Sequence, residues 1–151
     1  MAGLRIEPVV GDDMVEQWRY VHNVVVPPAA MGIDAVRVRV RRYRLENAYV
    51  GDELVGCSTV RPPEGEGAVA TVIVRVLPGY RRRGFGAVLY EKGLDHARVL
   101  GARVVETCVL AANEDGVRFA EARGFREVDR YVLDGETDLW IDLRLESPVG
   151  G

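Results

Sequence analysis

A short arginine- and glycine-rich turn between an apolar strand and a long helix constrains this chain most. The turn, residues 77–86, reads Leu-Pro-Gly-Tyr-Arg-Arg-Arg-Gly-Phe-Gly. Residues 70–76 before it are mostly β-branched, as in a buried strand, and Pro78 ends that strand. Apolar residues then recur at helical spacing as far as Leu100. The sequence therefore predicts a strand, a tight turn and a helix that begins near Phe85.

This arginine–glycine turn has the chemistry of a polyphosphate site. The N-terminus of a helix presents unpaired N–H groups and the positive end of the helix dipole. Gly84 and Gly86 would let a diphosphate approach the backbone closely. Arg81, Arg82 and Arg83 add positive charge at the same place, and arginine suits phosphate geometry. The Gly-Lys-Ser/Thr ending of a nucleotide P-loop and the third glycine of a dinucleotide fingerprint are both missing.

The turn resembles the R-x-x-G-x-G/A signature of the GNAT superfamily of N-acetyltransferases. Arg81, Gly84 and Gly86 fill its fixed positions, and the usual V-x-P precedes them. Downstream, Asn113 and the Gly-Phe pair that ends at Phe125 resemble the N-x11-G-F closing segment of the same superfamily. Two motifs in the right order make this resemblance more specific than the turn alone.

The resemblance covers residues 68–128 and implies that the turn holds the pyrophosphate of acetyl-coenzyme A. It also implies that the preceding strand diverges from its neighbour and pairs with the pantetheine arm through its backbone. Asn113 would help to fix this arm while it caps the following helix. The coenzyme-binding residues implied in this way are Val74, Val76, Arg81, Arg82, Arg83, Gly84, Phe85, Gly86, Ala87 and Asn113. No metal is implied.

The chemistry implied by the resemblance is direct attack of an amine on the thioester, which needs a base, donors for the oxyanion and alignment. We expect the backbone N–H of Val76 to polarise the thioester carbonyl. Glu106 is the first candidate for the general base, although an exposed strand carboxylate would also explain it. His22 and Tyr131 are weaker candidates. Ala120 stands where many members carry the tyrosine that protonates the departing thiolate, which alanine cannot do.

Three functions remain open at this point. The first, which we favour, is an N-acetyltransferase that moves an acetyl group from acetyl-CoA to a primary amine of a small molecule or a protein. The second is an acyl-CoA-binding module with weak or no activity, and Ala120 keeps it open. The third is a nucleic-acid-binding protein that uses its arginines, which the net charge of −3 disfavours. No motif identifies the acceptor amine.

Length and cysteine usage predict one domain in a reducing compartment. A chain of 151 residues suits a single domain, and neither a membrane-spanning apolar run nor a signal peptide is evident. Cys57 and Cys108 are far apart and lack metal-ligand spacing, which predicts a cytoplasmic setting. We expect a domain over 1–146 and a flexible tail over 147–151. The last strands could support a homodimer.

The remaining pattern predicts an α/β (α+β) domain with a mixed, largely antiparallel sheet of roughly six or seven strands and about four helices. Residues 34–44 alternate valine with arginine, which is a strand period, but the family resemblance places a helix there, and we expect the helix. Gly51 marks a hairpin, and residues 62–67 read as an exposed loop. Alternation from Leu139 predicts a final strand.

Overall fold

A mixed sheet of seven strands, with four α-helices, accounts for most of residues 3–145, the part of the chain that the computed structural model describes. The expected tail over 147–151 lies outside the described residues. The strands are β1 (Leu4–Pro8), β2 (Arg44–Val50), β3 (Glu53–Glu64), β4 (Val69–Val76), β5 (Val104–Leu110), β6 (Phe125–Val132) and β7 (Leu139–Leu145). The helices are α1 (Gly11–Val25), α2 (Ile33–Arg42), α3 (Phe85–Val99) and α4 (Glu114–Ala122).

The strand order is β1-β2-β3-β4-β5-β7-β6, and every neighbouring pair is antiparallel except β4 with β5. One face packs against α1 and α2 through a core that includes Trp18, Val36 and Cys57. The other face packs against α3 and α4 through a second core around Tyr90 and Phe125. This architecture confirms the predicted fold class.

The parallel pair β4–β5 diverges soon after it begins. Only Val69 to Thr71 pair with Val104 to Glu106, although both strands continue beyond these residues. The N–H of Leu77 donates to the carbonyl of Val55 on β3. Because successive N–H groups of a strand alternate in direction, those of Val76 and Val74 point away from β3, toward the gap. The divergence thus leaves backbone donors facing an opening in the middle of the sheet.

Helix α2 confirms the expectation for the valine–arginine repeat. Helical spacing places Ile33, Val36 and Val40 on one face, where they join the core under α1. Val38 falls on the opposite face and is exposed. A strand would instead have placed all the valines on one face. Contact of only Val36 and Val40 with the core is therefore the pattern of a helix.

The exposed loop predicted over residues 62–67 is wrong in its extent. Strand β3 continues through two prolines to Glu64, which pairs with Val69 of β4. The register shifts between Arg61 and Glu64, and this irregularity accommodates residues that cannot donate to the ladder. The turn itself is therefore shorter than the composition indicated.

Helix α3 is fixed to the sheet by an ion pair to a buried glutamate and by a close approach at a glycine. Only 2% of the Glu46 surface is exposed, and the Nζ of Lys92 lies 3.0 Å from its Oε2. The Nη2 of Arg44 lies 3.5 Å from the same oxygen. A Cβ at Gly93 would lie 2.5 Å from Cγ1 of Val72 on β4. These contacts hold the middle of α3 against the sheet, about two turns beyond the arginine–glycine turn.

Candidate active site

A cleft of about 380 Å³ opens where β4 and β5 diverge, and it reaches the arginine–glycine turn. The predicted coenzyme-binding residues that line it are Val74, Val76, Arg81, Arg82, Gly84, Phe85, Gly86 and Asn113. Arg83 and Ala87 are not among the lining residues. A smaller cavity of about 50 Å³ shares Arg75 and Phe119 with this cleft and extends under α1 to Cys108 and Trp140.

The backbone at Gly84 explains the glycine of the turn. Gly84 is the N-cap of α3 in a left-handed conformation, with φ of 84° and ψ of 1°. No side chain caps this helix, so its first N–H groups are not satisfied by a capping residue. A Cβ at Gly84 would have no atom within 4 Å, which shows open space beside these donors. An anion could reach them there.

The three arginines of the turn have different environments. Arg81 is half-buried, and its Nε donates to the carbonyl oxygen of Val76 at 3.0 Å. This bond ties the turn to the end of β4. Arg82 is exposed, with its own φ at a left-handed 65°. The guanidinium carbon of Arg83 lies 5.6 Å from the ring centre of Tyr80, over the ring face. Arg81 and Arg82 therefore face the cleft, while Arg83 flanks it.

Asp115 is a cleft residue that the sequence reading missed. Its carboxylate lies 3.9 Å from the guanidinium groups of both Arg81 and Arg82. It also accepts a hydrogen bond of 2.9 Å from Arg118, and this bond keeps the pKa of Asp115 below its usual value. A phosphate at the turn would compete with this carboxylate for the same arginines.

Asn113 has a double position, as a helix cap and a cleft residue. Its Oδ1 accepts from the N–H of Gly116 at 3.1 Å, and the residue lines the cleft as well. A Cβ at Gly116 would lie 2.6 Å from the Asn113 Nδ2, so a glycine is needed for this cap. At Gly86 a Cβ would lie 3.2 Å from the ring of Phe119, which brings α4 close to α3.

Glu106 lies on β5, where it forms an ion pair with Arg144 of β7. The Oε2 of Glu106 accepts from Nε and Nη2 of Arg144 at 2.9 and 2.6 Å. Glu106 lines neither cavity. Ala120, at the position of the family tyrosine, is fully buried in the core between the sheet and α3. The structure thus brings neither a free carboxylate from position 106 nor a hydroxyl from position 120 into the cleft.

The two weaker base candidates lie at the α1 side of the sheet. His22 is buried, stacks on Trp18 and contacts Oδ1 of Asn23 at 3.0 Å. Burial, reinforced by the nearby charge of Arg75, lowers the pKa of His22 to about 4, so the imidazole is neutral at pH 7. Tyr131 lies on β6, opposite Trp140 of β7.

Tyr131 and Asp142 form a hydrogen-bonded pair beside Cys108. The Tyr131 hydroxyl donates to Oδ1 of Asp142 at 2.8 Å. Burial, followed by this hydrogen bond, raises the pKa of the phenol. Burial also raises the pKa of Asp142 and of Cys108. The Cys108 thiol is therefore protonated at neutral pH and has no thiolate character.

Residues 3–145 contain neither a candidate metal site nor a candidate membrane-spanning helix. No group of three or more His, Cys, Asp or Glu residues is placed to hold a metal ion. No helix in this range combines the length and the apolar character needed to cross a bilayer. Cys57 and Cys108 are free thiols in this part of the chain.

Several solved structures share this fold at low sequence identity. The ribosomal-protein-S18-alanine N-acetyltransferase from Escherichia coli superposes with a TM-score of 0.75 and 17% identity, covering 97% of this chain and 94% of that one. A Bacillus subtilis acetyltransferase in complex with CoA gives 0.72 and 19%, over 96% and 99%. A GNAT family acetyltransferase from Elizabethkingia anophelis with acetyl-CoA bound gives 0.70 and 15%, over 95% and 98%.

Sequence comparison is more specific than the shared fold. No curated protein matches the chain significantly. The family model of the GNAT acetyltransferases matches residues 12–125, from the start of α1 to the start of β6. This range includes the arginine–glycine turn, the diverging strands and the Asn113 cap described above. The chain therefore belongs to the GNAT family of acetyltransferases.

Proposed function

We propose that this chain is an N-acetyltransferase that transfers an acetyl group from acetyl-CoA to a primary amine by direct attack in a ternary complex. The observation that carries this proposal is the continuity of one cleft. The gap between β4 and β5, with its outward N–H groups, opens directly onto the arginine–glycine turn. Similar structures that contain CoA or acetyl-CoA support the proposal.

The residues present fit this co-substrate at both ends. The open space at Gly84, the uncapped N-terminus of α3 and the cleft-facing Arg81 and Arg82 suit the diphosphate. The N–H groups of Val74 and Val76 suit the amides of the pantetheine arm, with Asn113 on the opposite wall. Acetyl-CoA supplies the acetyl group as a thioester. In this proposal Phe85 and Gly86 complete the wall, and Arg83 and Ala87 flank it.

The proposed chemistry depends mainly on alignment. The N–H of Val76 is placed at the mouth of the gap, where it would polarise the thioester carbonyl and stabilise the oxyanion. We keep Glu106 as the proposed general base, and its ion pair with Arg144 would have to open toward the bound ammonium. Because Ala120 offers no donor, solvent water would return the proton to the departing thiolate.

Calorimetric titration tests the coenzyme part of the proposal. We expect acetyl-CoA to bind with a dissociation constant of about 1 µM to 1 mM. CoA without its 3′-phosphate is the comparison ligand. A screen of primary amines for CoA release then tests transfer. Binding without turnover for any amine would favour the acyl-CoA-binding module. No binding would contradict both, and strongly salt-dependent binding to DNA or RNA would favour the third function.

Glu106→Gln tests the proposed base. We expect turnover to fall by about 10²- to 10⁴-fold with the KM for acetyl-CoA unchanged, because glutamine keeps the shape but cannot accept a proton. Arg144→Gln is the matched control, since it breaks the same ion pair and leaves the carboxylate in place. Equal losses in both variants would assign the pair a structural role. Full activity of Glu106→Gln would exclude Glu106 as the base.

The setting of the protein is also proposed. We place it in the cytoplasm because both cysteines are free thiols. Burial raises the pKa of Cys57 to about 12, so this thiol stays protonated and unreactive at neutral pH. A homodimer would most readily use β6, one of the two edge strands of the sheet, where residues 126–130 are all exposed.

A further inference from the structure

A buried arginine without an acid partner lies at the inner end of the cleft. Only 8% of the surface of Arg75 is exposed. Among residues 3–145 no carboxylate oxygen lies within 4.0 Å of its guanidinium group. Burial lowers its pKa, and the groups that oppose this effect are Cys57, Cys108 and Tyr90 rather than any acid. Buried charges are normally paired, and no carboxylate of the described residues fills that role for Arg75.

Arg75 is placed beside the proposed point of transfer, on the side of the sheet away from the coenzyme helix. Its neighbours Val74 and Val76 turn their side chains toward α3. The side chain of Arg75 therefore lies on the α1 face, as does that of its cross-strand partner Cys57. Arg75 lines both the large cleft and the small cavity that continues from it. A group bound there would meet the gap from the side opposite α3.

The same region contains further donors that lack acceptors. Trp140 lines the small cavity, and its indole Nε1 is buried without a hydrogen-bond partner. On the same face of the sheet, the Nε of Arg61 and the Oδ1 of Asn47 are also buried without a partner, but neither residue lines the small cavity. Buried polar groups are rarely left unpaired, and the indole N–H in the cavity can only donate. The small cavity therefore suits a group that accepts hydrogen bonds.

The charges around Arg75 favour an anionic ligand over a neutral one. Arg39 of α2 is half-buried, and burial together with the charge of Arg61 lowers its pKa. Two carboxylates share this face of the sheet, but each has its own partner: Glu106 pairs with Arg144, and Asp142 accepts a hydrogen bond from Tyr131. Neither lies within 4.0 Å of Arg75. A neutral ligand would therefore leave the charge of Arg75 unpaired.

We propose that the acceptor is a small amine that carries a carboxylate, and that Arg75 and Trp140 bind this carboxylate in the inner cavity. The proposal rests on the proposed function, since it assigns the second substrate of the same site. A guanidinium group binds a carboxylate through two parallel hydrogen bonds, and the indole N–H can donate to either oxygen. The cavity of about 50 Å³ is only somewhat larger than the space of one water molecule, so it suits a compact planar group.

Calorimetry of the complex with CoA tests this substrate class. The probes are the protein amino acids and, as matched neutral ligands, their methyl esters. We expect at least one amino acid to bind about 10- to 100-fold more tightly than its ester, because the ester keeps the amine and the side chain but loses the charge. Equal affinities for acids and esters throughout the set, or no binding of any amino acid, would overturn the proposal.

Variants of Arg75 give a second readout that a structural role would not produce. In Arg75→Met we expect the advantage of acid over ester to disappear, with acetyl-CoA affinity unchanged and with the melting temperature unchanged or higher, since a buried unpaired charge is removed. Arg75→Lys should restore part of the advantage. Exposed Arg126→Met is the control and should leave it intact. A lower melting temperature with equal losses for acids and esters would make Arg75 structural.

Two further arms separate the sources of the carboxylate and the causes of failure. In the first arm, succinyl-CoA and acetyl-CoA are compared as donors to the same amine, which carries no carboxylate. A preference for succinyl-CoA that Arg75→Met removes would place the carboxylate on the acyl donor. That result would overturn the acceptor assignment. Titration of amino acids without CoA shows whether the protein selects carboxylates even if acetyl-CoA fails to bind. A failure of the proposed function is then distinct from a failure of this inference.

Discussion

Gly84→Val should reduce the affinity for acetyl-CoA by more than about 100-fold. Gly84 has a φ of 84°, where a residue with a Cβ is strained by roughly 1–2 kcal/mol, so the variant would tend to move the turn out of position. The added side chain would also occupy the open space beside the first N–H groups of α3. Strain and obstruction act on the same group of donors. Calorimetric titration of the variant with acetyl-CoA measures the combined loss.

Gly101→Val is the matched control for this variant. Gly101 follows the opposite end of α3 with a φ of 93°, and a Cβ there would also meet no atom within 4 Å. We expect a similar fall in melting temperature for the two variants but a loss of coenzyme affinity only for Gly84→Val. Wild-type affinity in Gly84→Val would show that the arginine–glycine turn does not hold the diphosphate.

Lys92→Met should lower the free energy of unfolding by about 1–3 kcal/mol, a sizeable share of the stability of a domain of this size. The substitution leaves the Glu46 carboxylate, of which only 2% is exposed, without its closest cation. Arg44 contacts the same oxygen at 3.5 Å and is as exposed as Lys92, so it compensates for part of the loss. Urea denaturation monitored by circular dichroism gives the change directly.

Two companion variants identify the cause of this loss. In Glu46→Gln/Lys92→Met we expect most of the stability to return, because the buried charge is removed together with its partner. Arg98→Met removes an exposed ion pair with Asp95 on the same helix and should change stability by less than about 1 kcal/mol. If the double variant were as unstable as Lys92→Met, the packing of the lysine stem rather than the charge would explain the effect.

The sequence was most informative where the functional residues are close together in the chain. The arginine–glycine turn and its flanking strand and helix are local, so hydrophobic period, Pro78 and the glycines predicted them without knowledge of the sheet. Residues 34–44 were harder because their strand-like alternation conflicts with the observed helix α2. That conflict is resolved by the contacts of Val36 in the core under α1, which are tertiary and invisible to a local pattern.

The rest of the site depends on contacts between distant segments. Glu106 meets Arg144 because β5 pairs with β7, a register that no short motif specifies. Asp115 reaches the turn because α4 packs beside α3. For Arg75 a signal did exist in the sequence. A single arginine interrupts the Val-Ile-Val-Arg-Val run of an otherwise apolar strand, and a charge in a buried strand indicates a partner, either in a distant segment or in a ligand.

The divergence of β4 and β5 has a consequence for the lifetime of the protein. The two parts of the sheet are joined at this point by only Val69 to Thr71 and Val104 to Glu106. A ligand that lies in the gap acts as the absent strand and adds its binding energy to the folded state, about 2.7 kcal/mol when its concentration is 100 times its dissociation constant. The fraction of molecules open to proteolysis would then fall as the ligand accumulates. The amount of this protein in the cell would then rise with the concentration of the ligand that binds between β4 and β5.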